Sequence, residues 1–197
     1  MKSFAATFPR AFLLALTLVL PLALSMSADR GLAGEVESAY SKIRLEACAV
    51  ASPPSEEGTD GGSWICPGYQ DIPVRVAEGD LRMFVSFGPQ AGDEIAAVQT
   101  FPNFNTINET LEWRLRGGVP FATILRWFLD APDGGRPDEV LVVTQLGAGV
   151  TCHVAYVDAR ANGNANALAR QAADDLAGSH DCNQMPRVIG RPGVLAR

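Results

Sequence analysis

Lysine is almost missing from this chain: Lys2 and Lys42 stand against 14 arginines. Histidine is as scarce, with His153 and His180 alone, so chemistry that needs an imidazole base has two positions to choose from. No Gly-x-Ser-x-Gly and no Ser-x-x-Lys occurs, which removes the usual settings of a serine nucleophile. The glycine-rich stretches lack phosphate-loop spacing. After the first two dozen residues no apolar run is long enough to cross a bilayer, and there is neither a repeat nor a low-complexity tract. An excess of positive charge is also absent. Sixteen basic residues against 22 acidic ones leave a formal charge of −6, which excludes general attraction to nucleic acid or anionic lipid.

What is present begins with export. Lys2 and Arg10 precede an uncharged apolar run, Ala11 to Leu24, interrupted by Pro21. That order is the signature of a secretory signal peptide, expected over residues 1–27. Small residues at Ala23 and Ser25, or at Ser25 and Ser27, place cleavage near Met26 or Ala28, with the Gly31-Leu32-Ala33 stretch as second choice. The run is about 14 residues, short of the roughly 20 that a span requires, so no stable membrane span is expected after cleavage. No cysteine lies near the cleavage zone to carry a lipid. Removal of residues 1–27 takes away two cations and no acid, moving the charge from −6 to 14 − 22 = −8. The expected product is periplasmic or secreted. It has a single α+β domain over residues 28–185, a flexible tail over 186–197, and no oligomeric state that the sequence sets.

Cys48, Cys66, Cys152 and Cys182 are an even set in a chain sent to an oxidising compartment, and two disulfide bonds are the natural reading. Of the three connectivities, Cys48 with Cys66 and Cys152 with Cys182 is favoured because each pair closes a local loop. Alternation predicts a first strand over Ser41 to Ala51. An acidic, proline- and glycine-rich loop follows over Ser52 to Gly62. Ile72 to Ala77 and Leu81 to Phe87 read as a hairpin, and Gly88 to Asn108 stays unassigned apart from a short helical signal after Asp93. Thr110 to Arg116 and Phe121 to Leu129 are strands joined through Gly117 and Gly118. Val140 to Gln145 and Val150 to Asp158 form the clearest hairpin. Ala165, Leu168, Ala172 and Leu176 then share one stripe, marking an amphipathic helix with an Asn near its cap. The expected fold class is α+β: a mostly antiparallel β-sheet with one long C-terminal amphipathic helix and two disulfides.

Several segments carry a resemblance: Trp64-Ile65-Cys66-Pro67-Gly68-Tyr69, Glu78-Gly79-Asp80-Leu81-Arg82 and Leu111-Glu112-Trp113-Arg114-Leu115, then Val140 to Thr144, Cys152 to Ala159, and Asn164 to Arg170. Across most of the mature length the chain resembles a group of small uncharacterised exported proteins of Gram-negative bacteria. The resemblance implies export and brings no activity with it.

Candidate chemistry is sparse. Each histidine lies within two residues of a cysteine, so Cys152, His153, His180 and Cys182 invite comparison with a zinc site. Adjacent strand residues point to opposite faces, however, so Cys152 and His153 do not readily reach one ion, and a disulfide is the better account. No metal and no cofactor is therefore expected. Ser86 is the serine best placed for a turn after a strand, but it lacks a motif. Glu112 beside Trp113 is the carboxylate first suspected of glycosidic work, although 22 acids make such neighbours common.

The richest constellation is on the paired strands. Glu112, Arg114 and Arg116 share one face, Leu111, Trp113 and Leu115 the other, and Arg126 and Trp127 lie on opposite faces of the next strand. A solvated, salt-bridged face over a tryptophan core is the plain reading. Trp113, Arg114, Arg116 and Arg126 as a binding surface for an acidic or peptide partner is the functional one. No catalytic residue is assigned. The expected function is a non-catalytic binding module acting on an envelope protein, peptide or small ligand. A hydrolase of cell-envelope material and a structural subunit of an envelope complex remain open as alternatives.

Overall fold

The computed structural model describes residues 1–3, 5, 34–56, 61–131 and 133–196. The expected signal peptide and cleavage zone lie almost wholly outside them, as does part of the acidic loop. The strands are β1 (Val36–Lys42), β2 (Ala49–Ser52), β3 (Ser63–Pro67), β4 (Pro73–Gly79), β5 (Arg82–Phe87), β6 (Asn105–Arg116), β7 (Val119–Leu129), β8 (Asp138–Gln145), β9 (Cys152–Asp158) and β10 (Arg187–Val188), with a helix α1 (Ala165–Leu176) between the last two. They form one sheet in the order β1-β6-β7-β8-β9-β10 and a second in the order β2-β3-β4-β5. Pairing is antiparallel except where β10 runs parallel to β9.

Alternation explains the layering. One face of the larger sheet, with Leu111, Trp113, Leu125, Trp127, Val140 and Val142, packs on Val74, Val76, Met83, Val85 and Phe87 of the smaller sheet. Its other face, with Ala122, Ile124, Leu141, Val143 and Val157, packs under Ala165, Ala169, Ala172 and Ala173 of α1. Residues one position apart thus enter different cores. The β6–β7 turn uses Gly117 and Gly118 at φ +57° and +78°, the left-handed pair that a tight hairpin needs.

Two disulfides, Cys48–Cys66 and Cys152–Cys182, are present. The first joins the start of β2 to β3, and the second ties β9 to the segment after α1.

Three expectations are corrected. The strand expected over Ser41 to Ala51 is two strands in different sheets. β1 ends at Lys42, Leu45–Ala47 is a 3-10 turn, and β2 starts at Ala49. Ile43 is buried at this corner, so an alternating pattern is met by a chain that changes sheets as well as by a straight strand. The helix is not long and is not the last element. It has 12 residues, stops before Gly178 at φ +86°, and is followed by β10 and a 3-10 turn over Gly193–Ala196. Asn164 is the N-cap residue of that helix, as expected, and makes no side-chain cap bond. Asn162 instead binds Asp158 O and Arg191 O through Nδ2, and accepts from Arg191 N. Strict alternation along the expected Val150 to Asp158 strand would put Cys152, Val154 and Tyr156 on one face, but a register shift between Val143 and Thr144, opposite Val154, breaks it. This bulge leaves Cys152 and Val154 under α1 and turns Tyr156 toward the sandwich core, because one extra residue inverts the alternation beyond it.

The tail segment meets the sheet at defined points. Ile189 N donates to Tyr156 O, and Val194 N donates to Asp158 Oδ2.

Candidate binding cleft

The four residues singled out as a surface do not form one. Trp113 is fully buried in the sandwich, with ring centroids 6.5 Å from Tyr69 and 5.7 Å from Phe87, and its Nε1 donates to Ser41 Oγ at 2.9 Å. Arg114 points the other way, beneath α1. Its Nε and Nη2 donate to the Asp174 carboxylate at 2.9 and 2.7 Å, and Nη1 reaches Ser38 Oγ. Arg116 is exposed, with its guanidinium 4.3 Å from the Phe121 ring centroid and Nη2 on Asp174 O. The structure therefore brings Arg114 and Arg116 together around Asp174. Arg126 lies further along the sheet and binds Glu139 at 2.8 Å, which also takes Arg136. The polar face expected to be solvated is covered over part of its width by α1.

The acid and base candidates are occupied as well. Glu112 accepts Ser38 Oγ and Arg170 Nε, each at 2.6 Å. The hydrogen bond from Arg170 to Glu112 in turn holds the guanidinium firmly in its charged form. His153 is 1% exposed, and burial pushes its imidazole down to about 3. Its Nδ1 is 2.9 Å from the Tyr156 hydroxyl, which burial pushes up. The thiols beside the two histidines are spent in the Cys152–Cys182 disulfide. Ser86 is fully buried, and its hydroxyl has no hydrogen-bond partner, so no base touches it.

A cleft of about 380 Å³ opens where the chain after β5, the β6–β7 hairpin and the β8–β9 loop converge. Ile72, Phe87, Pro89, Pro120, Leu146 and Ala148 give it apolar walls, with Glu94 and Thr151 at one side. The β8–β9 loop is built to hold its shape. Thr151 Oγ1 donates to Gly147 O at 2.9 Å, and Val150 N donates to the same carbonyl. Glu94 then clamps the loop from outside, with Oε1 accepting Gly149 N at 2.8 Å and Oε2 accepting Thr151 N at 2.9 Å. It sits just before a 3-10 turn over Ile95–Val98, whose Ala96 N donates to Thr151 O. Gln99 Oε1 accepts His153 N, so this segment covers the start of the β9 edge. Sequence reasoning missed Glu94, whose one signal was an acid beside the apolar run Ile95-Ala96-Ala97-Val98.

A second cavity of about 490 Å³ lies between Phe101, Leu129, Tyr156 and the segment from Met185 to Leu195. Neither His153 nor Glu112 lines either cavity. Among the described residues no helix is long and apolar enough to cross a membrane.

Fold and cleft together define the class: a disulfide-bonded α+β protein whose two packed sheets leave an apolar cleft at one end. No protein family, no curated protein and no solved structure matches the chain.

Proposed function

We propose that the protein is an exported binding module, periplasmic or secreted, that holds a small ligand or an envelope peptide in the cleft at the end of its sandwich. The observation that carries this reading is the make-up of the cleft. Its walls are apolar, and its one acid is engaged by backbone amides rather than by a base or nucleophile. Its volume falls within the roughly 300–1,000 Å³ of small-ligand sites. Hydrolysis needs a nucleophile or an activated water within reach of an acid–base group. His153 is sealed in the core and Glu112 is paired to Arg170. Export is supported by the two disulfides, which persist in oxidising compartments, and by the leader-like first 27 residues.

Native mass spectrometry of the protein recovered from the envelope or medium tests the reading. The wild type is expected to begin between Met26 and Gly34 and to retain a ligand that Ala148→Trp, which fills the cleft, does not. An N-terminus at Met1 overturns export. Steady hydrolysis of envelope material that disappears in Glu94→Gln overturns the binding reading in favour of an enzyme.

A further inference from the structure

The buried and half-buried acids among the described residues are held in two ways. Glu112 pairs with Arg170, Asp174 with Arg114, and Glu139 with Arg126 and Arg136. Among the described residues Asp158 has no cation partner but takes three amides, from Arg160, Ala161 and Val194, and it lines neither cavity. Glu94, like Asp158, takes amides and has no cation among the described residues, but it takes one amide fewer and lines a cleft. It is 7% exposed, receives two amides only, and forms part of an open apolar wall. Among the described residues no arginine, lysine or histidine side chain lies within ion-pair distance of it. A carboxylate offers about four acceptor sites, so roughly half of its capacity remains. A negative group at the side of an apolar cavity is costly unless a cation neutralises it.

We propose that the cleft binds an organic ammonium ion carried on an apolar body, with Glu94 as its counterion. The apolar part rests against Phe87, Pro120 and Leu146, and the ammonium donates to the free lone pairs of Glu94. The two loop amides fix the carboxylate before the ligand arrives, so little ordering is left for binding to accomplish. A neutral ligand of the same shape gains the apolar contact and leaves the charge of Glu94 unanswered. An anionic one meets like charge. This inference rests on the binding-module reading and adds the chemistry of the ligand.

Calorimetry of the intact exported protein with three probes of similar shape tests it: 2-phenylethylammonium, 2-phenylethanol and 3-phenylpropanoate. The ammonium ion is expected to bind about tenfold or more tighter than the alcohol, as a charge-assisted hydrogen bond implies, and the carboxylate not at all. Glu94→Gln should bring the amine down to the level of the alcohol. Ala148→Trp, which keeps the Glu94 carboxylate, should abolish binding of both. Should the glutamine variant lose its loop, the comparison of amine and alcohol on the wild type decides alone. Equal binding of the two overturns the counterion role while the cleft still stands as a binding site. Failure of all three probes, with a native ligand still displaced by Ala148→Trp, overturns the ammonium chemistry and leaves the binding module. Failure of the probes with no native ligand overturns both.

Discussion

Arg114 and Arg116 stand two residues apart on the same face of β6 and meet different surroundings. The side chain of Arg114 is 8% exposed, locked by two parallel bonds to Asp174, whereas Arg116 lies in the open over Phe121. Alternation alone makes both dispensable. With α1 in place, Arg114→Ser strands the Asp174 carboxylate and empties a buried site, and a loss of about 2–4 kcal/mol is expected. The lower part of that range is favoured because the Asp174 side chain keeps 30% of its exposure. Arg116→Ser should stay within about 1 kcal/mol, the scale of an exposed cation–π contact. Urea unfolding of the two single variants checks this, and equal costs would show that the helix does not seal Arg114 as described.

At the scale of elements, α1 has little apolar anchorage for its length. Its buried face is alanine at positions 165, 169, 172 and 173, so each turn buries little apolar area. Ion pairs from Arg170 and Asp174 hold its polar side, and the Cys152–Cys182 bond holds the chain just beyond it. Gln145 reinforces that junction, with Nε2 donating to Val150 O and His180 O and Oε1 accepting Gly178 N. Closing a separation of 30 residues is worth roughly 3–4 kcal/mol in the chain-entropy account. The Cys152→Ser and Cys182→Ser double variant should therefore release amides from Ala165 to Ala177 to hydrogen exchange before those of β6 and β7. Simultaneous exchange of helix and sheet would mean that the disulfide does not single out this element.

For the whole molecule, the buried His153 sets a dependence of stability on pH. Its folded-state value lies near 3 and its unfolded one near 6.5, so between those values the unfolded chain binds a proton that the folded chain does not. Stability therefore falls as the pH drops through about 6.5 and stops falling on this account near 3, with a slope approaching about 1.4 kcal/mol per pH unit. Ordinary carboxylates protonate mostly below about pH 5, so the interval from 6.5 to 5 isolates the histidine. Denaturant midpoints of the wild type should fall across that interval, and those of His153→Gln should be flat there. A slope unchanged by the substitution would assign the effect to other groups.

The three hairpins β4–β5, β6–β7 and β8–β9 and the position of α1 were determined by the sequence alone, and the pairing of the four cysteines was the favoured one of three that the sequence allowed. Each is local: period-two alternation between short turns, a 3.6-residue stripe, and loops that close within 18 and 30 residues. Tertiary structure decided the rest. A strand pattern does not say where the chain passes from one sheet to the other, as it does between Lys42 and Ala49, nor that Val154 is the extra residue that sends Cys152 and Tyr156 to opposite cores. The polar face of β6 read as solvated because its cover arrives with Asp174, 60 residues later. Glu94 read as an ordinary acid because the loop it clamps is 55 residues away. Local pattern dictates which way a side chain points from its own backbone. Whether it then meets water, a guanidinium or the wall of a cleft depends on which distant element packs against it, and that is settled when the sheets and the helix come together.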